Sequence, residues 1–206
     1  MNEPVTVPAE EPAIEVRDAT PADAAAVREI AAVAWRATYA GQLDAESIER
    51  FIAAAYTPER VALRIERHVV LVAGAPDGPV EAFVELAAFE DHVQLVAFYA
   101  HPDARGRGLG SALLARVRER HPFTDLAADV LVGNALGEPF YAARGFEPGE
   151  LLVDEVAGEP IRERRWWLRA AAPAEVTFDQ FLASDAGRAL FEEPGLEPPS
   201  YDDDPA

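Results

Sequence analysis

Apolar residues along this chain change period several times, and each change marks an element. Ile14 to Arg17 reads as a short strand. In the Thr20-Pro21-Ala22-Asp23 run that follows, threonine is a cap, proline suits the first helical position, and Asp23 faces the positive helix end. Val27, Ile30, Ala31, Ala34 and Trp35 then recur at helical spacing until Gly41. Ile48, Phe51, Ile52 and Ala55 continue the helical period in a second stretch. Thr57-Pro58-Glu59 repeats the cap-and-proline signal for a third, short helix carrying Val61 and Ile65.

From His68 the period changes to that of strands. Val69 to Ala73, a turn at Pro76-Asp77-Gly78-Pro79, and Val80 to Phe89 predict a hairpin. A further strand runs from His92 to Ala100 and stops at Pro102. A glycine-rich loop then leads into a helix through Leu113, Leu114 and Val117. Asp125 to Val132 predicts another strand, Ala135 to Arg144 a short helix ended by Gly145, and Leu151 to Val156 with Ile161 to Leu168 a closing strand pair. The order is that of a mixed α/β domain over residues 13–170.

The two ends have another character. Residues 1–12 combine three prolines and three glutamates with little apolar content, which predicts a disordered acidic tail. Residues 171–206 predict an acidic extension with one short amphipathic helix, about 177–191, opened by the capping box Thr177-Phe178-Asp179-Gln180, and a disordered end.

Charge and composition remove several functions. The chain has 206 residues, half of them hydrophobic, enough for one well-packed core. Every one of its 18 basic residues is arginine, against 37 acids, for a net charge of -19. An acid-rich chain without lysine resembles proteins of halophilic organisms, whose acidic proteome stays dissolved in molar salt; a GC-rich genome is the alternative source of the missing lysine. Such a charge excludes sequence-independent nucleic-acid binding, whose affinity comes from neutralising phosphates. With no cysteine, disulfides, cysteine-based zinc sites and thiol nucleophiles are excluded, and no metal site is expected. Neither a signal sequence nor an apolar run of membrane-spanning length is visible, so a cytoplasmic protein without membrane partners is the expectation.

One segment runs against the acidic trend. Residues 101–120 hold five arginines against Asp103 and Glu119. Within them lies Ala104-Arg105-Gly106-Arg107-Gly108-Leu109-Gly110-Ser111, between a strand and a helix. Glycines let backbone approach a ligand closely and reach positive φ. The first-turn N–H groups and the helix dipole then make an anion site fit for a pyrophosphate. The spacing is neither that of a P-loop nor that of a dinucleotide-binding fingerprint.

Phe98-Tyr99-Ala100-His101-Pro102, the R-x-x-G-x-G run from Arg105 to Gly110, and Asn134 followed by Phe140-Tyr141 and Gly145-Phe146 resemble the GNAT superfamily of acetyl-CoA-dependent N-acetyltransferases. The resemblance covers about three quarters of the chain. It implies a mostly antiparallel sheet flanked by helices, with the fourth and fifth strands splayed around the substrate cleft. It further implies that Phe98, Tyr99, Ala100, the loop Arg105, Gly106, Arg107, Gly108, Leu109, Gly110 and Ser111, together with Asn134 and Tyr141, bind acetyl-CoA. Backbone groups of Phe98 and Ala100 would pair with the pantetheine arm, and Tyr141 would protonate the CoA thiolate.

Without cysteine a thiol acyl-enzyme cannot form, which points to direct attack by a primary amine in a ternary complex. A protonated amine needs a proton acceptor. Where relatives often carry an acid on the fourth strand, this chain has Gln94, which no base can be made from. Glu85 is the first substitute and His92 the second, with water-mediated deprotonation open; a solvated strand face and a turn are their alternative roles. Trp35 and Tyr39, one helical turn apart, are candidates for the acceptor pocket together with Gln94, or for the core. The acceptor is a small-molecule or peptide amine, and a homodimer is left open. The competing reading is a non-catalytic acyl-CoA-binding or partner-binding module on the same fold.

Overall fold

The computed structural model describes residues 13–170, so the two predicted terminal segments, 1–12 and 171–206, lie outside the described residues. The elements are β1 (Glu15–Asp18), α1 (Ala24–Tyr39), α2 (Ala45–Ala55), α3 (Pro58–Arg67), β2 (Val69–Gly74), β3 (Val80–Ala88), β4 (His92–Ala100), α4 (Leu109–Arg120), β5 (Asp125–Leu131), α5 (Gly137–Ala142), β6 (Glu147–Val156) and β7 (Glu159–Leu168). The seven strands form one sheet in the order β1-β2-β3-β4-β5-β7-β6. Every neighbouring pair is antiparallel except β4 with β5.

Both faces of the central strands are covered, which is why β2 and β3 read as nearly continuous apolar runs rather than as alternating ones. One face packs Leu71, Val84 and Leu126 against Leu113, Leu114 and Val117 of α4. The other packs Val72, Phe83 and Ala97 against Ile30 and Trp35 of α1, Ile48 and Ile52 of α2, and Val61 of α3. Complete burial of a side chain such as Phe83 or Leu113 contributes roughly 1.5–3 kcal/mol. Thr57 caps α3 as expected, its hydroxyl accepting from the Arg60 amide. Asp23 stands in the first turn at the helix N-terminus, as expected, and does more there. Its carboxylate gathers the Thr20 amide and hydroxyl and the Arg17 guanidinium at the end of β1.

Two predicted boundaries move. The α5 helix is shorter than Ala135 to Arg144 because Asn134 Oδ1 accepts from the amides of Leu136 and Gly137, making those residues its cap. Strand β6 begins at Glu147, four residues before the expected Leu151. Pro148-Gly149 sits in an irregularity of the β6–β7 pairing rather than in a turn, and a Cβ on Gly149 would stand 2.7 Å from Trp167 Cδ1.

The feature that positions the site lies at β4 and β5. Their parallel pairing covers His92, Val93 and Gln94 against Asp125, Leu126 and Ala127, and stops there. Parallel strands need a crossover, supplied here by the glycine loop and α4. Beyond Gln94 the strands part, leaving the β5-side edge of Leu95–Ala100 without a partner strand. Against β3 the register shifts between Glu85, opposite Ala97, and Leu86, opposite Leu95. Val96 is thus an extra residue, a bulge, and it is half exposed in the gap.

Candidate active site

A cavity of 510 Å³ fills the gap between the parted strands. Its walls are the free edge of β4 (Leu95, Val96, Phe98, Tyr99, Ala100), the loop and first turn of α4 (Arg105 to Ser111, without Arg107), Asp129 of β5, Asn134, and Phe140, Tyr141 and Arg144 around α5. Thr38 and Tyr39 close it from the end of α1.

The loop has the backbone its glycines require. Gly106 has φ +77 and Gly108, at the cap of α4, φ +86. A Cβ on Gly110 would meet the Phe140 ring at 2.9 Å, so the first helical turn approaches α5 as closely as it does only without a side chain. The charge of this segment is distributed differently from its count along the sequence. Arg107 donates to Glu81 at 2.6 Å and lies outside the cavity wall, which corrects its expected role in cofactor binding. Arg116 pairs with Glu119, Arg120 with Asp18, and Arg118 donates to the carbonyl oxygens of His121, Thr124 and Leu168. Among the five arginines Arg105 alone lines the cavity, tied to Thr38 Oγ1 at 2.9 Å.

Arg144, outside the arginine-rich segment, supplies the second cation. Its guanidinium lies 3.7 Å above the Phe140 ring and donates to Ser111 Oγ at 2.6 Å, bridging α5 to the first turn of α4. Leu109 contributes backbone only, since its side chain is in the core.

Tyr141 stands in the wall, boxed by Phe98, Phe140 and Phe146 at ring-centre separations of 6.4, 5.2 and 5.0 Å. Burial, with the charge of Asp129 and the neighbouring Tyr39 adding to it, pushes its phenol well above the ordinary value. It therefore carries its proton throughout the neutral range. Asn134 lines the cavity while its side-chain oxygen caps α5.

Three expectations need correction. Glu85 is neither solvated nor in the cavity wall. It is 3 % exposed on the helix-covered face of the sheet beneath α3, where its carboxylate meets His68 Nδ1 at 2.6 Å and Arg64 at 3.6 Å. A carboxylate so buried is retained by its partners. Replacing it with glutamine is expected to lower thermal stability by about 1–2 kcal/mol while kcat/KM stays within about twofold of wild type, measured by melting and steady-state rates. His92 is buried at the closed end of β4, between Asp91 and the rings of Phe89 and Trp167. Gln94 is the last residue paired with β5, buried at the vertex of the gap and absent from its walls. The aromatic pair divides. Trp35 is core, stacked on Phe51 and donating to the Tyr99 hydroxyl at 3.0 Å, whereas Tyr39 reaches the cavity.

The residues that sequence reading passed over are Asp129, Arg144, Val96 and Thr38. Asp129 had a signal: it is the one acid inside the apolar run from Leu126 to Val132. It is held by two bonds from Arg165, at 2.7 and 2.8 Å. The others had none, because a bulge and a fold-back of α5 on α4 leave no periodicity.

Comparison with known proteins agrees with this arrangement. A family model described as an acetyltransferase (GNAT) domain matches residues 66–148, which include β4, the loop, α4, β5 and α5. The PaiA N-acetyltransferase of Thermoplasma acidophilum, solved in complex with coenzyme A, superposes with a TM-score of 0.62 at 25 % identity, covering 74 % of this chain and 98 % of that one. The chain has the GNAT acetyltransferase fold. A GCN5-related N-acetyltransferase of Rhodopseudomonas palustris shares the fold at a TM-score of 0.64 and 24 % identity, covering 79 % and 97 % of the two chains. The spermidine N(1)-acetyltransferase of Thermoplasma acidophilum is 25 % identical over 161 residues, 74 % of this chain and 98 % of that protein. The PaiA structure holds coenzyme A, and among the described residues of this chain no cluster of acids and histidines suits a metal ion. No described helix is long and apolar enough to cross a membrane.

Proposed function

We propose that this chain is an N-acetyltransferase that passes the acetyl group of acetyl-CoA directly to a primary amine in a ternary complex. The observation that carries the reading is that the free edge of β4, the glycine loop and Tyr141 all line one cavity. Loop amides and the α4 dipole would hold the pyrophosphate, with Arg105 and Arg144 as its cations. The unpaired backbone of Leu95–Ala100 offers the pantetheine arm a strand to bond to. An N–H at the Val96 bulge is suited to the developing oxyanion. The attacking nitrogen displaces sulfur, and Tyr141 gives the departing thiolate a proton.

The competing idea of a catalytically empty module rested on Gln94 replacing an acid. Asp129, facing the cavity from the other strand, supplies a carboxylate on that side. Likeness to the spermidine acetyltransferase makes a polyamine the first acceptor to try. The test is release of free CoA from acetyl-CoA across a panel of polyamines, amino acids, aminoglycosides and peptides. Amine-dependent release is expected for at least one class. Tight acetyl-CoA binding with no release across the panel would overturn the proposal.

A further inference from the structure

A second carboxylate stands beside Asp129, and the chemistry described so far does not use it. Glu163 lies on β7, opposite Leu131 of β5, while Asp129 is opposite Arg165. The two acids are therefore diagonal neighbours on one face of an antiparallel pair, a separation of about 7–8 Å that side chains of this length span. That face is the one toward α1, where Leu131 and Ile161 pack near Tyr39.

Asp129 is bonded twice to Arg165. Glu163, by contrast, receives neither a hydrogen bond nor an ion pair from any described residue, although it is largely withdrawn from water. Four charged or titratable groups face it: Asp129 from β5, Asp154 from β6, Arg165 from β7 and Tyr39 from α1. Of these groups Asp129 and Tyr39 line the cavity, and three acids, Glu163 included, against one guanidinium leave the surroundings of Asp129 negative.

Resting on the transferase reading, we propose that Asp129 and Glu163 form the acceptor end of the cleft, where Asp129 holds the incoming ammonium and Glu163 takes its proton. The acceptor is accordingly a cationic amine and not an amine beside a carboxylate. The ammonium enters between Tyr39 and Asp129. Glu163 removes one proton, directly or through one water, and the freed nitrogen lone pair forms the C–N bond at the thioester carbon. As the C–S bond breaks, sulfur takes the Tyr141 proton, and the phenolate recovers a proton from the nitrogen of the new amide. Glu163 returns the first proton to solvent, so the products are the acetamide, CoA thiol and one proton.

Burial, with Asp129 and Asp154 adding to it against Arg165, raises the Glu163 carboxyl to about 7. Its basic form thus gains population as pH rises through neutrality, and kcat/KM for the amine should rise over the same interval. The test uses the full chain, acetyl-CoA and 1,4-diaminobutane, with kcat/KM followed on both sides of neutrality for wild type, Glu163→Gln and Asp129→Asn. Glu163→Gln should lose about tenfold in kcat/KM near neutrality and lose the rise with pH, while acetyl-CoA affinity is unchanged. Asp129→Asn should raise the amine KM about tenfold. Glycine should be a far poorer acceptor than 1,4-diaminobutane.

Melting curves verify that the variants are folded, and Glu163→Asp should restore part of the pH-dependent rate. An active wild type whose pH profile survives Glu163→Gln overturns this assignment and leaves the transferase reading intact. A wild type that binds acetyl-CoA yet turns over no amine overturns both. Independently of turnover, carbon NMR of glutamate carboxyls should show the Glu163 titration moving down in pH when 1,4-diaminobutane is added; no movement also overturns the assignment.

Discussion

Replacing Tyr141 with phenylalanine should lower kcat by about 100-fold and leave the acetyl-CoA dissociation constant within about twofold of wild type. The ring stays in its box of Phe98, Phe140 and Phe146, so packing and fold are kept and only the hydroxyl is lost. In the proposed reaction that hydroxyl acts late, when charge has moved to sulfur. Its removal therefore leaves ground-state binding alone and raises the barrier to thiolate departure. Because burial raises the phenol's pKa, its proton is present throughout the neutral range, and the wild-type profile should show no fall from this group there. Rapid-mixing measurement of CoA release, with acetyl-CoA binding titrated separately, divides the two quantities. An unaffected kcat would remove Tyr141 from the chemistry.

Gly108→Val should weaken acetyl-CoA binding by about 10- to 100-fold. Gly108 caps α4 at φ +86, where a β-branched residue is strained by roughly 2–3 kcal/mol. The variant relaxes that strain by turning the loop amides away from their common focus, and each 1.4 kcal/mol lost to binding is about a factor of ten. The open space around this position, with only Ile14 Cδ1 within 3.4 Å of a Cβ, means that backbone conformation and not a clash carries the effect. Gly158→Val is the control. Gly158 has φ +89 in the β6–β7 turn, also in open space, so its variant should lose comparable stability with no change in acetyl-CoA affinity. Calorimetric titration with acetyl-CoA distinguishes the two variants; equal affinities would detach the loop from the cofactor.

Much of the fold was legible because its elements carry their own signals. Cap-and-proline pairs opened helices at Thr20 and Thr57, and apolar runs gave β2 to β5 within about two residues. The β6 start was not legible, since Pro148-Gly149 has turn composition and extends only because Gly149 lies beneath Trp167. The cofactor side of the cavity was visible as a local motif, except that charge counted along residues 101–120 overstated it. Arg107 and Arg120 answer acids that are distant in sequence, Glu81 and Asp18. Of the residues read for the acceptor side only Tyr39 reaches the cavity, because the placement of the acids depends on register. Glu85 and Glu163 are both acids on strands, and only the pairing of β7 with β5 sets one diagonal to Asp129 of the cavity wall while α3 takes up the other. Ion pairing across β7 and β5 leaves no trace in the spacing of either strand.

Label transfer in a single turnover tests the central claim most directly. Acetyl-CoA labelled in the acetyl group is mixed with excess protein, first without and then with the accepted amine. Direct attack in a ternary complex predicts no label on the protein in the first case, and in the second label reaching the amine at the rate at which CoA is released. Label bound to the protein before amine is added, or CoA release without labelled amine, would contradict it.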